Sequence, residues 1–348
     1  MRILAVTNMY PTGGAPHSGI FVKQQIEALK GVGLDVDLMI VERLQKGMAC
    51  YLGLCRRVQS RIRDWQPDIV HAMYGGVMAD MVTRTVSDRP TIVTFHGSDL
   101  LGEPLSGQLR QWIAGYGVWA SRRAARRASG IVAVSRELRD ALPDDVDKTK
   151  VRIIPCGIDL DQFKPLDRDI CRKRLRWRDD RFNVLFPTNG GDPLKRLNLA
   201  RAAVEVVKQS GITVELHQLR GVPHDEVPIW LNAADVLLLT SLQEGSPTVV
   251  KEALACNRAV VSVDVGDVRE RIEGIEGCYL ASADASDLAA KLRLVHADRR
   301  RVAGEIKIQH LSLEQIARRL TQFYEDLLLP HGRTRDHEVI CSILTHLR

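Results

Sequence analysis

The chain has 348 residues, 45% of them apolar and 26% charged, with a formal net charge of +6. That length suits two domains with two buried cores, and the composition excludes a disordered, collagen-like or disulfide-built protein. Seven scattered cysteines contain no CxxC pair, and no apolar run approaches about eighteen residues, so neither a metal cluster nor a transmembrane helix is expected.

The first residues enter a strand pattern at once and lack a signal-peptide layout, so a cytoplasmic location is expected. The charge is uneven. Residues 1–157 hold 21 Lys and Arg against 15 Asp and Glu, whereas the remainder balances 28 against 28. The first half therefore calls for an anionic partner: membrane lipid, an anionic acceptor or, less readily, nucleic acid. Nucleic acid is set aside, because aromatics are only 5% and no binding module is recognisable.

Strand patterns at 2–8, 35–41, 68–72, 91–95, 130–135 and 151–155 alternate with helix patterns at 20–30, 49–64, 76–85, 108–128 and 136–142. Such alternation predicts a doubly wound parallel sheet. The first strand runs into Tyr10-Pro-Thr-Gly-Gly-Ala-Pro-His-Ser-Gly-Ile-Phe21, where Gly13, Gly14 and Gly19 allow close approach of a ligand. The spacing is not GxGxxG, which disfavours a nicotinamide dehydrogenase. The fourth strand ends in Phe95-His96-Gly-Ser-Asp99, placing a histidine at the carboxyl edge of the sheet. A lone histidine is more often a satisfied core group, and Asp99 could be only a helix cap.

Two stretches are cationic and amphipathic: Cys55-Arg-Arg-Val-Gln-Ser-Arg-Ile-Arg63, and 112–127 with Trp112, Tyr116 and Trp119 ahead of Arg122, Arg123, Arg126 and Arg127. Either could rest on an anionic membrane at the inner face, or be a surface helix with its aromatics packed inward.

Gly157 and the prolines of Pro155-Cys-Gly-Ile-Asp-Leu-Asp-Gln-Phe-Lys-Pro165 punctuate a domain boundary. The rhythm then restarts, with strands at 182–187, 213–219, 235–241, 259–265 and 278–281 and helices at 197–209, 226–233, 247–256, 268–273 and 285–294. The expected domains are 1–157 and 158–311, with a helix at 312–329 crossing back and a tail at 330–348. After the first of these strands, Thr188-Asn-Gly-Gly-Asp-Pro-Leu-Lys195-Arg196 can cradle a diphosphate, with Lys195 first and Arg196 second as its cation.

The stretch Glu244-Gly-Ser-Pro-Thr-Val-Val-Lys-Glu252 follows the aliphatic run 235–241. Ser246 reads as an N-cap and Pro247 as the first helical residue, leaving the amides of Thr248, Val249 and Val250 free for an anion beside Gly245. Two carboxylates flanking a phosphate cradle suit a nucleotide sugar, since each can accept two hydroxyl hydrogen bonds. Two glutamates eight apart would by themselves be unremarkable; the strand before and the Ser-Pro start give them meaning.

"SLQEGSPTVVKEALAC", "TFHGSD", the glycine loop and the interdomain segment together resemble the family 4 glycosyltransferases, including members of the bacterial envelope-polysaccharide and teichuronic-acid type. The resemblance covers roughly residues 1–329. It implies a GT-B fold, two Rossmann-like α/β domains facing each other across a cleft. It further implies transfer, with retention, of a sugar from a nucleoside diphosphate sugar to a hydroxyl of a glycan or lipid-linked acceptor. UDP is preferred over GDP as the donor nucleotide, and no metal or other cofactor is required. In these terms His96 and Glu244 are the catalytic pair, Glu252 holds the ribose, and Gly14, Lys195, Arg196, Gly245, Ser246, Thr248 and Val249 bind the donor. The usual arginine of the phosphate loop is replaced near Asn189 or Gly190. The loop 219–224 would hold the base. Same-face attack and double displacement through Glu244 both remain open. So do a nucleotide-sugar epimerase of the same fold and a non-catalytic scaffold of a glycan-assembly complex.

Overall fold

The computed structural model describes residues 1–13, 18–103, 107–188 and 192–329. Gly14, Asn189, Gly190 and the 330–348 tail lie outside these residues.

Two wholly parallel sheets form. The first contains β1 (Arg2–Thr7), β2 (Asp35–Ile40), β3 (Ile69–Ala72), β4 (Thr91–Phe95), β5 (Gly130–Ala133) and β6 (Val151–Ile153), in the order β2-β1-β3-β4-β5-β6. The second contains β7 (Phe182–Phe186), β8 (Val214–Gln218), β9 (Val236–Leu239), β10 (Ala259–Val263) and β11 (Tyr279–Ala281), in the order β8-β7-β9-β10-β11. Helices cover both faces of each sheet, so the central strands are unbroken apolar runs. All residues of β3, β4, β5, β7, β9 and β10 are buried. In each sheet the strand order reverses beside the first strand, between β1 and β3 and between β7 and β9. A crevice opens at the carboxyl ends of strands at such a switch point.

The last helix among the described residues, Leu313–Leu328, packs on the first domain, against helix Ile20–Gly31, although its sequence follows the second. Ser312 caps it by accepting a hydrogen bond from the Gln315 amide, and Ile316, Leu320, Phe323 and Tyr324 are buried. Its Tyr324 hydroxyl lies 2.8 Å from Nδ1 of the buried His71, whose Nε2 is 2.7 Å from the Thr94 hydroxyl. Burial keeps this imidazole neutral, its pKa lowered to about 3.

Some local expectations change. The helix expected at 49–64 is broken: Gly47–Tyr51 is a 3-10 turn, Gly53 takes φ 70°, and Leu54–Trp65 is a separate helix. Only glycine enters that left-handed conformation at little cost, and it resets the helix axis. Short helices at Ser98–Leu101, Arg168–Leu175 and Gly304–Ile308 were not apparent from periodicity. Each is too short to display it.

Candidate functional site

The carboxyl end of β9 is stitched to the loop after β7. The Thr240 hydroxyl donates to the carbonyls of Lys195 and Arg196, at 2.8 and 3.1 Å. In return, the Arg196 guanidinium donates to the carbonyls of Thr240 (2.5 Å) and Ser241 (3.0 Å). Arg196 sits in the left-handed region at φ 50° and its charge is spent on backbone. The structure thus gives it a supporting role rather than the phosphate contact expected as a second choice. Lys195 is brought into the crevice, where Nζ lies 2.5 Å from Glu244 Oε1. The Ser241 hydroxyl donates to the same oxygen at 2.7 Å. Glu244 and Lys195 keep 15% and 19% of their side chains exposed, enough to meet a ligand.

The helix begins one residue later than expected. It spans Thr248–Ala255 with Pro247 in the capping position and no side-chain cap. Ser246 does not cap it. Its hydroxyl instead donates to Asp267 Oδ2 at 2.8 Å and accepts from Lys251 Nζ at 2.5 Å, because a buried carboxylate and ammonium outcompete a backbone amide for it. The amide of Val250 bonds the Pro247 carbonyl at 3.3 Å. Thr248 and Val249, at the first two helical positions, have no intrahelical acceptor and remain the amides suited to an anion.

Glu252 lies on this helix, 6% exposed, with Oε1 3.5 Å from His224 Nε2. His224 is held from behind: its carbonyl accepts from Gln162 Nε2 at 2.9 Å, and its ring meets Phe163 edge-on at 5.3 Å. Burial disfavours the imidazolium, but the hydrogen bond and charge of Glu252, aided by Asp159 and Asp225, raise the His224 pKa above its ordinary 6.5. The loop expected to hold a base thus also supplies a side chain to Glu252.

Across the crevice, His96 stands just beyond β4. Its Nε2 donates to the Met73 carbonyl at 3.1 Å, and its ring stacks on Tyr74 at 5.8 Å and leans on Phe21 at 4.5 Å. Cys156 Sγ is 3.7 Å from Nδ1. Burial, with a contribution from the nearby Lys251 ammonium, lowers the His96 pKa to about 4, so the ring is neutral. Asp99 is structural: its carboxylate accepts from the amides of Gly75, His96 and Gly97 and shapes the loop. Burial raises its pKa to about 6.

The two walls touch. A Cβ on Gly245 would fall 1.7 Å from the His96 carbonyl oxygen, so only glycine fits where the domains meet. The Lys251 ammonium donates to the Cys156 carbonyl at 3.0 Å, Gln243 Nε2 to the Gly102 carbonyl at 3.1 Å, and the Gly266 amide to Glu137 at 3.0 Å. Lys195 thus meets Glu244, Gly245 abuts the His96 carbonyl, Ser246 meets Lys251 and Glu252 meets His224, all beyond the carboxyl ends of the two sheets. Sequence reasoning missed Lys251, His224 and Asp267. The only available signal was a lysine flanked on its helix by the apolar Val250, Ala253 and Leu254; the other partners lie far away in the chain. Among the described residues, no group of three His, Cys, Asp or Glu side chains could hold a metal ion.

Comparison with known proteins bears on the family and the fold. The family model described as Glycosyltransferase Family 4 matches residues 32–162, and that described as Glycosyl transferases group 1 matches residues 173–298. A putative teichuronic acid biosynthesis glycosyltransferase, TuaC, of Bacillus subtilis is 28% identical, the match covering 77% of this chain and 82% of that protein. Sucrose-phosphate synthase from Thermosynechococcus elongatus superposes with a TM-score of 0.76 at 18% identity, covering 94% of this chain and 99% of its own. Anabaena HepE, solved in complex with UDP, superposes with a TM-score of 0.68 at 17% identity, covering 94% of this chain and 100% of its own. These superpositions identify the fold as GT-B.

Proposed function

The chain belongs to the family 4 glycosyltransferases, and from that premise we propose that it moves a sugar, with retention, from a nucleoside diphosphate sugar to a hydroxyl of a glycan or lipid-linked acceptor in bacterial polysaccharide or glycolipid synthesis. The observation that supports this reading is the set of contacts beyond the sheets' carboxyl ends: the Lys195–Glu244 pair, Gly245 against the His96 carbonyl, the open helix start at Thr248 and Val249, and Glu252 beside His224.

Glu252 accepts the ribose hydroxyls. The amides of Thr248 and Val249 and the Lys195 ammonium meet the diphosphate, stabilising it as it departs. Glu244 accepts hydroxyls of the sugar from the other side of Lys195. Neutral His96, fixed by Met73 and Tyr74, shapes the sugar pocket. UDP is the favoured nucleotide, in keeping with the UDP complex of the similarly folded HepE.

Retention is best served by same-face attack with the leaving phosphate as base. Glu244 Oε1 already accepts from Lys195 and Ser241, and this pairing makes the carboxylate a poor nucleophile for double displacement.

The test is calorimetric titration of UDP, GDP and their sugars into wild type and Glu252→Ala. Saturable binding of one nucleotide, weakened roughly thirtyfold in the variant for about 2 kcal/mol lost with a charged acceptor, is expected. A folded wild type that binds none of them would refute the donor site.

A further inference from the structure

Lys251 is fully buried, between the two glutamates of the donor motif. A buried ammonium is costly unless it is paired and hydrogen-bonded, and an apolar side chain of similar volume would commonly serve the core as well or better. Its neighbours Val250, Ala253 and Leu254 on the same helix are apolar and also fully buried. The ammonium reaches three separate pieces of chain. It donates to the Cys156 carbonyl in the interdomain linker at 3.0 Å and to the Ser246 hydroxyl in the donor loop at 2.5 Å, and it stands 3.9 Å from Asp267 Oδ2. Asp267, itself 1% exposed, is held by Arg271 Nε at 2.9 Å. Cys156 in turn contacts the His96 ring.

We propose that Lys251 is a positioning residue for the transfer step, tying the donor loop to the interdomain linker and seating His96 beside them. This rests on the crevice being the transfer site, but its test does not depend on knowing the substrates. The tether joins Ser246, next to the glycine that meets the His96 carbonyl, to Cys156, next to the His96 ring. One side chain thereby bears on both neighbours of His96, Gly245 at its carbonyl and Cys156 at its ring. Its charge also acts on His96. The groups facing that imidazole are Tyr74 from the segment after β3, Cys156 from the linker and Lys251 from the donor helix, with His71 nearby and Asp99 on its amide. Lys251 is the cation among them.

The experiment compares wild type, Lys251→Met and Lys251→Gln, using UDP as the ligand. Histidine-labelled protein, with the His96 signal assigned through His96→Gln, is titrated by NMR. Hydrogen exchange is followed at the linker around Cys156 and at the donor loop around Ser246. Loss of the cation should raise the His96 pKa by about half a unit or more in both variants. Exchange at both segments should speed up in Lys251→Met and be restored at least in part by Lys251→Gln, which keeps a donor for the Cys156 carbonyl. UDP affinity should stay within about threefold, because the nucleotide contacts belong to other residues. An unmoved His96 titration with unchanged exchange, whether or not thermal stability falls, would overturn the proposal. Lys251→Gln, close in volume, serves if Lys251→Met does not fold. Failure of wild type to bind UDP would count against the donor site alone, leaving the titration and exchange to judge Lys251.

Discussion

The carboxylates of the donor motif do not act alone, and His224 shows how a neighbour alters one of them. Its native pKa lies above the ordinary 6.5 through Glu252, Asp159 and Asp225. The folded protein therefore binds this proton more tightly than the unfolded chain. The resulting stability is fully present below the unfolded value and is lost as pH rises through the native one. Urea unfolding of wild type and His224→Gln should show a stability difference in favour of wild type that is largest in mild acid and shrinks as pH rises above 6.5. A pH-independent difference would refute the pair. His96 and His71 have the opposite sign. Their native values near 4 and 3 mean that acid favours the unfolded chain, so they withdraw stability as pH falls below 6.5.

Among the elements, the crossing helix Leu313–Leu328 closes the first domain with residues from the far end of the described chain. A Cβ on Gly130 would come within 2.6 Å of Phe323 and 2.7 Å of Leu327. Gly130→Ala should destabilise the protein by about 1–3 kcal/mol through overpacking, read by denaturant titration; an unchanged midpoint would mean that the helix yields freely. The helix Gln108–Arg127 makes a different prediction. Its aromatics are not packed inward: Trp112, Tyr116 and Trp119 are 71%, 42% and 47% exposed and stack in a row, with Arg123 over Trp119 at 4.4 Å. No helix among the described residues is long and apolar enough to cross a membrane. A row of interfacial aromatics beside arginines suits the surface of an anionic bilayer. Sedimentation with phosphatidylglycerol vesicles should bring down wild type and leave Trp112→Ser/Trp119→Ser largely in solution, with neutral vesicles binding neither. Equal binding of the two proteins would remove this helix from any membrane role.

For the whole molecule, the domains close through a glycine. Gly245→Ala would place a methyl 1.7 Å from the His96 carbonyl oxygen, a distance no side-chain adjustment relieves. The domains must then part. Small-angle scattering should report a larger radius of gyration for the variant. An unchanged radius would show that the contact can be relieved by local loop movement.

The pattern of apolar runs and punctuating glycines and prolines was sufficient for the alternation of strands and helices and for the Glu244–Glu252 motif at a strand end. These depend on neighbours along the chain, where period, capping and turn chemistry act. The strand end Phe95–Asp99 and the loop 188–196 singled out His96 and Lys195 as candidates. Only the tertiary structure decided which groups these residues meet: Lys195 turned onto Glu244, Arg196 spent on carbonyls, Ser246 drawn from its capping position by Asp267 and Lys251, and Glu252 joined by His224. The contacts that seat the walls join residues 95 apart for Lys251 and Cys156 and 141 apart for Gln243 and Gly102. No periodicity carries such pairs. They form only when the two sheets bring their carboxyl edges together and each buried charge takes the partner within its reach.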